Sequence, residues 1–103
     1  MKYALIALLL SCLAAPAFAA EVKIDIHEYK FAPASVTIHP GDSVTWVNLD
    51  QIPHTIADKD KAFRSAALDT NDKFTHAFDK PGTYTYFCTL HPQMTGEVVV
   101  VTK

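Results

Sequence analysis

From Glu21 onward the chain alternates apolar and polar residues with a period of two, and no stretch sustains the 3.6-residue period of a helix. Val22, Ile24 and Ile26 alternate with charged residues, as a half-buried strand requires. Two β-rich runs, Ser35–His39 and Ser43–Asn48, are joined at Pro40-Gly41-Asp42, a turn signal. Phe74, His76 and Phe78 share one face of the next clear run. Asp79-Lys80-Pro81-Gly82 then turns the chain into "TYTYFC", where Tyr84, Tyr86 and Cys88 point the same way. The valine-rich stretch from Glu97 to Thr102 reads as the last strand, and "DKAFRSAAL" (residues 60–68) has room for a helical turn. About seven or eight short strands at regular spacing predict an all-β fold, an antiparallel sandwich.

The segment before these strands is of a different kind. Met1-Lys2 gives a minimal positive start, an apolar run follows, and Ala17-Phe18-Ala19 forms a small-x-small cleavage pattern. Residues 1–19 therefore read as a signal peptide that is removed, leaving residues 20–103 as one domain exported to the periplasm. The apolar run is short for a membrane span and no stop-transfer segment follows it, so no span is expected. Leu9 to Cys12 loosely resembles a lipoprotein-processing site, which makes an anchor at Cys12 the minor alternative. Without a twin-arginine pair, the chain is expected to cross unfolded and acquire any metal afterwards. The remaining 84 residues carry 8 Lys and Arg against 11 Asp and Glu. So mild an acidic excess argues against nucleic acid or an anionic membrane as partner.

At this size core burial alone gives marginal stability, and small exported domains usually add disulfides or a metal. Cleavage removes Cys12 and leaves Cys88 without an intramolecular partner. An unpaired thiol in an oxidising compartment must be buried, paired between chains or bound to metal. A lone buried cysteine is more often a small core residue than a ligand. Here, however, Cys88, His91 and Met94 fall at even three-residue steps around Pro92. Thiolate, imidazole and thioether together suit copper, whereas zinc gains little from a thioether. A trigonal site needs a second imidazole from among His27, His39, His54 and His76. His54 is the best candidate, because it follows Pro53 and opens the apolar "TIA" after a polar, irregular segment. His39 stands at a turn, His27 among charges, and His76 on an inward strand position where a half-buried imidazole is ordinary. Met94 and His91 are expected on the loop that leads to the last strand.

"DQIPHTI" followed by "PGTYTYFCTLHPQMTGEVVV" resembles the cupredoxin family, and "FAPASVTIHPGDSVTWVN" resembles its early strands, so the likeness spans residues 21–103. The short C-x-x-H-x-x-M spacing is that of the amicyanin branch. The resemblance implies a Greek-key sandwich and one type 1 copper ion per chain, cycling between Cu(I) and Cu(II). His54, Cys88 and His91 would lie near a trigonal plane, with Met94 weakly axial. Thr55 stands where family members often carry the Asn that ties the ligand-bearing segments together, and its backbone N–H is expected to donate to the Cys88 sulfur. With four positions filled by protein, no place is left for substrate, which points to a one-electron carrier and not an enzyme. A copper-delivery protein is the alternative. The implied partners are a periplasmic dehydrogenase and a c-type cytochrome, met by a monomer across an apolar patch of Leu90, Pro92, Pro53 and Ile52.

Overall fold

The computed structural model describes residues 19–102. The signal-peptide reading of residues 1–19, together with Cys12, lies outside them except for Ala19. Among the described residues the alternation becomes eight strands and no helix. They are β1 (Glu21–His27), β2 (Lys30–Ala32), β3 (Ser35–Ile38), β4 (Ser43–Asn48), β5 (Ala57–Asp58), β6 (Lys73–Ala77), β7 (Gly82–Cys88) and β8 (His91–Val100). Two four-stranded sheets result, in the orders β2-β1-β4-β6 and β3-β8-β7-β5. The all-β sandwich expected from the sequence is present. Its pairing is mixed: β1 runs parallel to β4 and β3 parallel to β8, while the remaining pairs are antiparallel.

Burial follows the alternation. Ile24 and Ile26 of β1 and Val44 and Trp46 of β4 face Tyr86, Cys88, Val98 and Val100 of the other sheet, all buried. Trp46 sits at the centre, its ring 5.3 Å from that of Tyr86 and edge-on to it. Burying each such large apolar side chain contributes about 1.5–3 kcal/mol, so these few residues carry much of the driving force.

Two segments depart from the sequence reading. β8 begins at His91, well before its valine-rich part, so His91 and Met94 stand in the strand itself and not on a loop. The cause is a tight connection: Thr89 and Leu90 alone join the strands, and Cys88 pairs directly with His91 beyond a register shift at Phe87/Cys88. Residues 60–68 form no helical turn. Phe63, Ser65 and Leu68 are buried between exposed neighbours, and the segment is held by backbone bridges of Arg64 to Ala57 and Leu68 to His54.

Gly96 fixes how closely β7 and β8 pack beside the thiol. It pairs with Tyr86, and a Cβ built on it would overlap the Tyr86 hydroxyl and ring carbons, which belong to a rigid, fully buried ring. Gly96→Ala should therefore cost about 1–3 kcal/mol through overpacking. A denaturant midpoint equal to that of the parent would show that the ring can move aside.

Candidate metal centre

His54 is held before any metal is considered. Its backbone N–H donates to the Leu68 carbonyl at 3.1 Å, and the Leu68 N–H donates back at 2.8 Å. The buried Asn48 amide braces both sides of this bridge, donating to the carbonyls of Ile52 and Leu68, each at 2.8 Å. The His54 side chain is fully buried. Cys88 ends β7 on its inward face, also fully buried. His91 begins β8 and is half-buried, and Met94, three residues on, points inward with Gly96 and Val98.

The sulfur of Cys88 lies 3.7 Å from Nδ1 of His54 and 3.9 Å from Nδ1 of His91. All three donor atoms fall within 4.8 Å of one another. A first-row ion bound at roughly 2.0 Å to nitrogen and 2.3 Å to sulfur in a trigonal plane sets S···N separations of roughly 3.7 Å. Both sulfur–nitrogen separations thus already match what such an ion needs. Of the other histidines, His27 and His39 are exposed, and His76 lies between the rings of Phe63 and Phe78, each 4.8 Å away. Burial among those rings lowers its pKa against the pull of Asp79 and Asp58. Among the described residues, His54, Cys88 and His91 are the one such cluster of three.

Residues 18–101 match the model of the copper-binding plastocyanin/azurin family. The chain belongs to that family. Copper is accordingly the cofactor of this cupredoxin, one ion per chain. It is 41% identical over 91 residues to amicyanin-alpha of Methylorubrum extorquens, covering 84% of this chain and 75% of that protein. It is 40% identical to the chloroplast plastocyanin of Tetradesmus obliquus, over 85% of this chain and 71% of the relative. Among solved structures it resembles amicyanin of Paracoccus versutus, with a TM-score of 0.74 at 36% identity, covering 86% of this chain and 87% of that one. The purple cupredoxin of Nitrosopumilus maritimus gives 0.75 at 34%, over 78% of this chain and 99% of its own.

In this cupredoxin Thr55 ties the two ligand-bearing segments together without an amide side chain. Its N–H donates to the Cys88 sulfur at 3.3 Å, the bond expected from the sequence. Its hydroxyl accepts from the Thr89 N–H at 2.8 Å and is hydrogen-bonded to the Thr89 hydroxyl, also at 2.8 Å. A residue on each side of the site is thus locked to the other by two short bonds.

Asp50 and Tyr29 complete the surroundings, and sequence reasoning missed both. The β1–β2 turn places Glu28 and Tyr29 at φ 53° and 63°, the mirror-image turn that suits a twisted hairpin. One Asp50 carboxylate serves both of them. Oδ1 accepts from the Glu28 N–H at 2.7 Å, and Oδ2 accepts from the Tyr29 N–H at 3.1 Å and lies 2.8 Å from Nε2 of His54. Burial alone would raise the Asp50 pKa, but the Tyr29 and Glu28 amides and His54 outweigh it, and the net shift is downward. With a metal ion bound, Nε2–H given to Asp50 would leave the Nδ1 lone pair of His54 for the ion. Tyr29 is then set edge-on to both imidazoles, its ring 5.5 Å from that of His54 and 4.9 Å from that of His91. The only sequence signal was an acid four residues before a candidate ligand in "NLDQIPH".

The same contacts charge the thiol. Burial opposes ionisation of Cys88, yet the Thr55 N–H, the two imidazoles and the Leu90 N–H together bring its pKa down from 9.0 to about 6. The folded chain therefore releases the thiol proton well before the unfolded chain does. Stability of the metal-free protein should rise with pH from about 6 to about 9 and fall as pH drops through 6. Cys88→Ala should lack that slope in denaturant titrations, and equal slopes in the two proteins would place the thiol pKa near its ordinary value. Asp50→Ala should loosen His54 and weaken copper binding by about 10–100-fold, read by competition with a chelator. Unchanged affinity would mean that the Leu68 bridge alone holds the imidazole.

Proposed function

We propose that this protein is an exported blue-copper electron carrier in which His54, Cys88, His91 and Met94 would hold the copper. The observation that carries the reading is the spacing of the three donor atoms: Nδ1 of each imidazole stands 3.7–3.9 Å from the sulfur. Bound there, copper supplies a one-electron couple between Cu(I) and Cu(II). The chain's own residues do the rest. The Thr55–Thr89 bonds and the Asp50 carboxylate hold the donors in one geometry for both oxidation states. Thr55 and Leu90 aim backbone N–H groups at the thiolate, and the core excludes water from its inner side. The amicyanin and plastocyanin relatives support a carrier and not an enzyme. The apolar run of residues 3–15 before Ala17-Phe18-Ala19 supports removal of residues 1–19 and a periplasmic location for the domain 20–103.

The end of the molecule around His91 is apolar and open. Leu90 is 51% exposed and Tyr29 48%, Pro53 and Pro92 are exposed, and Ile52 is half-buried beside them. Such a face suits a brief, small encounter in which shape matters more than ion pairs. A periplasmic dehydrogenase as donor and a c-type cytochrome as acceptor are the partner classes we assign to it.

The deciding experiment is optical titration of the refolded residues 20–103 with Cu(II). An intense visible charge-transfer band at one equivalent is the expected result. Cys88→Ser should fold but lose the band, and a variant that keeps its full absorption would sink the assignment. Leu90→Glu should leave the band and the potential nearly as they are while slowing exchange with the redox partner. A bimolecular rate equal to that of the parent would move the docking face elsewhere.

A further inference from the structure

Three cations converge on one cleft whose lining does not include His91. Lys59, Lys61 and Arg64, with Ala57, Asp58 and Phe87, line a hollow of about 340 Å³ against the edge strand β5. The chain as a whole has more acids than bases, yet three of its nine Lys and Arg gather within six residues here. Among the described residues none of the three has a carboxylate within ion-pair distance. The ion pairs among the described residues are Lys23 with Asp25 and His54 with Asp50. Asp58 is buried and spends its carboxylate on the hairpin itself, accepting from the N–H groups of Asp60 and Ala62 at 3.2 and 2.9 Å. Asp60 is the one exposed acid of the segment.

The cations stand on a fixed frame. Asp58 N–H donates to the Phe63 carbonyl at 3.0 Å, Lys61 N–H returns to the Asp58 carbonyl at 3.0 Å, and Lys59 N–H is anchored on Thr85 at 2.9 Å. The floor matters as much as the rim. Tyr86 and Cys88 point into the core, so Phe87 between them faces outward into the cleft. It is covalently adjacent to the buried thiolate. The cleft therefore joins an unpaired positive rim to an apolar floor one residue from the metal ligand, and it shares no lining residue with the apolar patch around Leu90.

From this we infer that the 57–64 hairpin and Phe87 form a second docking face, fitted to a redox protein whose docking surface is acidic. The inference rests on the carrier reading above. Exposed cations of this kind add little affinity singly, but together they steer an oppositely charged partner and raise its association rate, an effect that salt removes. An acidic partner held here would leave the apolar end free for the other partner.

Electron exchange with two forms of one probe tests this. Succinylated cytochrome c carries an acidic surface, and the unmodified cytochrome a basic one. The rate with the succinylated form should fall as salt is raised, and Lys59→Glu/Arg64→Glu should lower it at low salt by about tenfold or more. Lys23→Glu/Lys73→Glu changes net charge by the same amount on the outer face of the other sheet, and should change that rate by less than about twofold. Equal losses in the two double variants, or no loss in the first, would overturn the docking face while the visible band and exchange with unmodified cytochrome stayed intact. If no protein bearing the band exchanges electrons with either cytochrome, the carrier reading fails, and the docking face with it.

Discussion

The hydrogen bond from the Thr55 N–H to the Cys88 sulfur is the point on which the site turns. It joins residues 33 positions apart in sequence, and the Thr55 hydroxyl closes a second link to Thr89 alongside it. Without that junction, His54 would belong to one irregular segment and the thiol to the end of a separate strand. With it, the two sides hold one geometry through a backbone donor and a small hydroxyl. A threonine therefore fills a place where an amide side chain is common in the family, and it does so by bonding to another threonine directly after the cysteine. The bond from the Thr89 N–H needs only a backbone donor, and the Thr89 hydroxyl adds a second bond to the same Thr55 oxygen.

Asp50 does on the outer side what Thr55 does on the inner. A single carboxylate satisfies the two backbone N–H groups of a turn whose residues have positive φ and orients the buried imidazole below it. The turn then carries Tyr29 over both histidines. Local backbone conformation, side-chain tautomer and surface shape are in this way set by one acid, which makes Asp50 a structural residue and a tuning residue at once.

Much of this was legible in the sequence, because it depends on short-range periodicity. Val22, Ile24 and Ile26, or Tyr84, Tyr86 and Cys88, announce their inward face by alternation, and Cys88, His91 and Met94 by spacing. What stayed hidden depends on partners remote in the chain. Nothing in "HPQM", with a proline and a glutamine, marks the start of a strand, and Thr89-Leu90 lacks the Gly or Asn that advertises a tight hairpin. The structure extends β8 there because Cys88 finds His91 across the turn. In the sequence, "DKAFRSAAL" has room for a helical turn. Backbone bridges to Ala57 and His54 decide otherwise, and no local pattern reveals those bridges. Asp50 and Tyr29 escaped for the same reason.

The burial of Cys88 also governs what happens while no metal is bound. Its sulfur is charged near neutrality, and a thiolate is the form that oxidants and other disulfides attack. Yet it is wholly shielded from solvent, so two folded copies cannot bring their sulfurs together. Chemical ageing of the empty protein is then timed by local opening around β7 and β8, not by the reactivity of the sulfur. The shelter that keeps water from the site also sets the clock for its loss.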